Sequence, residues 1–142
     1  MKRWMKRVSI GLVVLFLAIQ LVPAGRTNPP ITKSIEAPPE VMAILRRSCF
    51  DCHSNETVWP WYAYVAPVSW LVVHDTDEGR RELNFSHWGD LSQTRRESKA
   101  VSVVEEIEDG EMPMEAYLWM HADAAVSDAD LEVLRAWSEG DV

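Results

Sequence analysis

The chain has 142 residues, with 14 Lys or Arg against 22 Asp or Glu and a net charge of −8. That length supports one domain with a single modest core. The acidic balance excludes nucleic acid as a partner class, and two cysteines are too few for a disulfide framework.

The first seven residues, MKRWMKR, hold four basic side chains and no acid, and VSIGLVVLFLAIQLV follows from Val8 to Val22. A cationic start ahead of an apolar run is an export signal. Residues 1–25 are therefore read as a membrane anchor or signal peptide. The run is short against the roughly 17–25 residues that a span needs, yet long for the core of a signal peptide. The preferred expectation is an uncleaved transmembrane helix in the inner membrane, its basic end cytoplasmic, with residues 30–142 in the periplasm. The alternative is cleavage after Val22-Pro23-Ala24, leaving a soluble periplasmic protein.

Residues 26–39, RTNPPITKSIEAPP, are rich in proline and polar side chains and read as a semi-extended linker. A domain at 40–142 follows, and its expected class is all-α. Pro38 and Pro39 suit a helix start, and Val41, Ile44, Leu45 and Ser48 recur at helical spacing. Pro67 opens a second helix through Val68, Leu71, Val72 and His74, expected to stop near Gly79. Ala100, Val103, Val104 and Ile107 mark a third, with Gly110 placed to end it. In the last helix Ser127 and Asp130 form a capping box, flanked by the Val126 and Leu131 staple pair. No stretch alternates at period two.

Both cysteines lie in RRSCFDCHSNETVWPWY, with Cys49 and Cys52 three positions apart and His53 directly after them. C-x-x-C-H is the spacing of covalent haem c attachment: two thiols form thioethers and the histidine offers a ring nitrogen to iron. The tryptophan and tyrosine residues that follow, Trp59, Trp61, Tyr62 and Tyr64, are expected to cover an edge of that apolar plate. Three other readings compete. A zinc site needs a second ligand pair at matching spacing. A thioredoxin-like pair needs a βαβ pattern, and a local disulfide needs only an oxidising compartment.

A six-coordinate iron needs a distal ligand, and GEMPME at 110–115 offers Met112, a thioether ahead of Pro113 in a loop. His/Met ligation raises the potential relative to His/His. Met114 and His74 are the rivals, and most methionines are simply core filler. The haem is expected to complete the core, so the chain without it should be partly unfolded.

CFDCHSNETVWPWY, APVSWLVVHDTDEGRRELNFSHW and GEMPMEAYLWMH together resemble the bacterial haem-binding domain family of small exported c-type cytochromes, over about residues 40 to 139. The helix ending in C-x-x-C-H, the G-x-M-P loop and the capped last helix are also similar to class I cytochromes c, in which the first and last helices cross beside the haem edge. The family often has proline where this chain has Met114. What the resemblance implies is one haem c, with electron transfer as its use. The expected partner is a redox protein, basic because the part beyond residue 7 carries a charge of about −12. The alternatives are a haem sensor or peroxidase-like enzyme, for which the sequence marks no distal acid/base, not even at His74, His87 or Glu111, or a haem-stiffened interaction module.

Overall fold

The computed structural model describes residues 2–140 and is all-helical, with 65% helix and no strand among the described residues. Seven α-helices run in order among the described residues: α1 Lys2–Ile19, α2 Pro39–Ser48, α3 Phe50–His53, α4 Val68–Glu82, α5 Gln93–Glu108, α6 Glu115–Leu118 and α7 Asp128–Ser138. Three 3-10 turns join them, at Trp61–Tyr64, Phe85–Asp90 and Ala122–Ala124. Residues 141 and 142, included in the expected domain, lie outside the described residues, as does Met1.

The core forms where α2, α5 and α7 meet. Proline fixes the first turn of α2, and Val41, Ile44, Leu45 and Ser48 are its buried side. α7 packs against both α5 and α2, delivering Leu134 and Trp137 to the same cluster as Leu45, Ala100 and Val104. Leu45, Phe85 and Leu134 are fully covered, each worth roughly 1.5–3 kcal/mol of apolar burial. A chain of aromatic rings threads the core: Phe50 stacks on Phe85 at 5.4 Å, Phe85 meets Trp88 at 5.9 Å, and Trp88 meets Trp137 at 5.8 Å. These contacts tie α3, the Phe85–Asp90 turn and α7 together.

The helix ends follow local chemistry. The Ser127 hydroxyl accepts from Asp130 N while the Asp130 carboxylate accepts from Ser127 N, closing the expected capping box. Gly110 takes φ +75° just past α5, the left-handed position that glycine fills at low cost. α5 itself begins at Gln93, seven residues before the first apolar marker, because its opening turns are polar and face solvent.

Three expectations need correction. No helix among the described residues is long and apolar enough to cross a membrane, so the expected transmembrane helix is unsupported. α1 has four basic residues among its first six and ends at Ile19; its apolar part from Val8 is about 18 Å long at 1.5 Å per residue, against a hydrocarbon core of about 30 Å. α4 does not stop near Gly79 but runs through it to Glu82. Finally, the proline-rich stretch 26–39 is extended but docked: Ile35 is buried, its N–H donates to Phe85 O at 2.8 Å, and Gly89 N donates to Lys33 O at 3.0 Å.

Candidate functional site

Cys49 caps the end of α2 and opens the single turn of α3 that carries Cys52 and His53. The two sulfurs are not bonded to each other. Burial pushes the Cys49 thiol up to about 12, reinforced by Cys52, and the Cys52 thiol up to about 11, reinforced by Asp51 and Asp75. A reactive dithiol redox pair is ordinarily marked by the opposite shift. Thiols held protonated in an apolar wall suit conversion to neutral thioethers.

α4 locks this turn from the side. A Cβ at Gly79 would lie 2.8 Å from the Cys52 carbonyl oxygen, a contact with backbone that nothing can relieve cheaply, so only glycine lets α3 and α4 approach this closely. The carbonyls of Gly79 and Leu83, at 2.9 and 3.1 Å, both accept from His53 Nδ1. Two acceptors on one nitrogen require that nitrogen to carry the proton, which leaves Nε2 as the imidazole's free lone pair. Burial lowers the pKa of His53, which favours the neutral ring. A histidine fixed by its second nitrogen in this way has the arrangement of a metal ligand.

Two adjoining clefts meet at His53. One, of about 370 Å³, is walled by Leu83, Phe85, Val103 and Ile107, with Lys99 and Glu106 at its polar side. The other, of about 220 Å³, lies along Cys52, Gly79 and Tyr117. Cys49, His53 and Met112 line both. Together they reach the size range of cofactor sites, roughly 300–1,000 Å³. The hydroxyl of Ser48, buried and without a hydrogen-bond partner, also lines both clefts; an orphaned polar atom at that junction is what a bound polar group would satisfy. The apolar walls, the paired cysteines and the fixed histidine fit a haem.

The loop that carries Met112 is held by the end of α5: both Glu111 N and Met112 N donate to Glu106 O at 3.0 Å. Met112 thus shares both clefts with His53, whereas Met114 lines the smaller cleft and a third beyond Cys52. His74 stands apart. Its side chain is 63% exposed and lies 3.5 Å from Glu78, so it is a surface residue of α4 and not a rival ligand. His87 is taken up by Thr32 at 2.7 Å and Asn55 at 3.2 Å. None of His74, His87 and Glu111 lines the clefts. Of the aromatic run, Tyr62 and Trp61 border the third cleft, while Tyr64 is exposed.

Several supporting residues carry no local sequence signal. Arg80 donates from Nε to Ser54 O and from NH2 to Thr57 Oγ, both at 2.8 Å, and also reaches Thr27 O and Asn28, clamping the loop after His53. Tyr117 donates to the Asp51 carboxylate at 2.9 Å and stacks on His121 at 4.2 Å, and Tyr62 bonds His121 at 2.6 Å. The turn that bears the cysteines is therefore bound on one side by α4 and on the other by the α6 segment.

No curated protein and no solved structure was found to match the chain. A family model described as a haem-binding domain matches residues 14–140, nearly the whole of the chain and all of the clefts described above. The chain belongs to the haem-binding domain family.

Proposed function

We propose that the chain carries one covalent haem c and serves as an electron-transfer protein at the periplasmic face of a membrane, where the uncovered apolar side chains of α1 enter the bilayer without crossing it. The observation that carries this reading is the doubly anchored Nδ1 of His53, which leaves Nε2 free between the two clefts that Met112 also lines. Bound there, a haem supplies one-electron redox chemistry. Cys49 and Cys52 are the attachment sulfurs. His53 is the proximal ligand, held in one tautomer and one ring orientation by Gly79 and Leu83. Met112 is the distal ligand; its place beside His53 in both clefts supports it over Met114. With His53 and Met112 both held toward the clefts, a bound haem would have a protein ligand available from each, which would suit one-electron transfer rather than small-molecule binding.

The acidic surface supports a basic redox protein as the partner. Glu105, Glu106, Glu108, Asp109 and Glu111 are all exposed just before the ligand loop, and Glu108 is partly neutralised by Arg135 at 3.0 Å. Steered association with such a partner slows as salt screens the field. The tether is supported by α1, whose apolar residues lie uncovered by the rest of the chain. The test is the visible spectrum of the reduced holoprotein with and without carbon monoxide. An unchanged spectrum is expected; a carbon monoxide adduct would overturn the carrier reading and favour a sensor or an enzyme.

A further inference from the structure

The chain is one quarter charged, yet residues 57–73, TVWPWYAYVAPVSWLVV, contain no Asp, Glu, Lys or Arg. Such a stretch in an acidic protein would ordinarily be core, and here a large part of it is not. Trp61 is 70% exposed and Leu71 58%, with Val58, Tyr64 and Val68 also open to solvent. Trp61, Val68 and Leu71 gather with exposed Met120 around one cleft of about 370 Å³. A contiguous apolar surface of this kind marks an interaction site.

Its neighbour says what covers it. The segment leaving α1 is fastened to these same elements. Gln20 exchanges two hydrogen bonds with Ala66, donating to its carbonyl at 3.0 Å and accepting from its N–H at 2.9 Å, and Trp70 Nε1 donates to Val22 O at 3.4 Å. Ala66 and Trp70 bracket Val68, the first residue of α4. Arg26 completes the attachment, donating to Ala63 O at 2.9 Å and lying 4.3 Å over the Tyr64 ring. The open apolar residues thus begin within one turn of the point where the uncovered apolar helix joins the domain.

We propose that this face, formed by the Trp61–Tyr64 turn and the first two turns of α4, rests on the lipid bilayer into which α1 inserts. The inference builds on the tether reading and adds to it a fixed orientation of the domain. Tryptophan and tyrosine with an adjacent arginine are the side chains favoured at the headgroup level, and residues 57–73 bring no charge to that layer; the two carboxylates of the cleft, Asp51 and Asp75, lie outside that stretch. Because the same cleft is walled on its inner side by Cys52 and Tyr117, docking sets the C-x-x-C-H turn close to the membrane. It leaves the acidic end of α5 as a separate surface for a protein partner.

The test uses the full holoprotein with 5-fluorotryptophan at its seven tryptophans, placed in phosphatidylcholine nanodiscs with and without a headgroup-proximal nitroxide lipid. Fluorine resonances are assigned by single Trp→Phe changes. Trp4 reports on α1, Trp61 on the domain face, and buried Trp88 and Trp137 serve as internal controls. The expected result is loss of the Trp4 and Trp61 signals with Trp88 and Trp137 retained. In a Val68→Glu, Leu71→Glu protein Trp61 should return while Trp4 stays lost. Loss of Trp4 alone would leave the tether standing and overturn the docked face, pointing instead to a second copy or another protein as its cover. Retention of both would overturn the tether and the docking together.

Discussion

The Nδ1–H of His53 donates to the Gly79 carbonyl at 2.9 Å, and a Cβ on that same glycine would strike the Cys52 carbonyl oxygen at 2.8 Å. One residue of α4 therefore does two things for the cysteine turn. Its missing side chain lets the helix approach, and its backbone oxygen then sets the imidazole.

Gly79→Ala separates these effects from ordinary helix propensity. In an open helix interior the change would stabilise by roughly 0.5–1 kcal/mol. Here it forces α4 away from backbone, at a cost of roughly 1–3 kcal/mol, and lengthens the His53 contact. Thermal unfolding of the holoprotein should show a lower Tm, and a raised Tm would mean that the close approach is not real.

The cap of α7 gives a pH prediction. Hydrogen bonds from the Ser127 N–H and hydroxyl, at 3.0 and 2.8 Å, hold the Asp130 carboxyl below the usual carboxylate range, helped by Arg47 at 2.8 Å. A pKa lower in the folded chain than in the unfolded one stabilises above the ordinary value of about 4 and ceases to do so as pH falls through the depressed value. Denaturant titrations should show Asp130→Asn less stable than wild type at neutral pH, with the gap closing in acid. Ser127→Ala should cost about 1 kcal/mol at neutral pH. A gap that is constant with pH would contradict the assignment.

The cleft walls bear on folding without cofactor. Leu83, Phe85, Val103 and Ile107 line a cleft of about 370 Å³ that no other side chain among the described residues fills. A protein with Cys49→Ser and Cys52→Ser, made where haem attachment is available, should lose covalent haem on a denaturing gel and show reduced helicity by circular dichroism. Native helicity in that variant would mean that the polypeptide core is sufficient alone.

Much of this was legible because it is local. Gly110 after an apolar i, i+3, i+4 series, Ser127 three residues before Asp130, and C-x-x-C-H each state their geometry within a few positions, and each of those elements sits where the residues place it. Gly79 misled for the same reason. A glycine after an apolar series marks a helix end or a close approach with equal local signal, and only the position of Cys52 in space decides between them. Ile35 was hidden by its prolines, since one buried side chain in a polar stretch has no period. The polar opening of α5 concealed its first seven residues. Arg80 and the Tyr117–Asp51 bond join positions 23 to 66 residues apart, beyond the reach of spacing. His74 shared an apolar helix face in the sequence, yet the packing of α4 turns it outward.

If His53 and Met112 together hold the iron, the near-infrared sulfur-to-iron band of the oxidised holoprotein reports it most directly. Wild type and Met114→Ala should both show the band. Met112→Ala should lose it, with a lowered potential and a reduced form that binds carbon monoxide. A Met112→Ala protein that keeps its sulfur band would contradict the account, and loss of the band in Met114→Ala would move the distal ligand two residues along the loop.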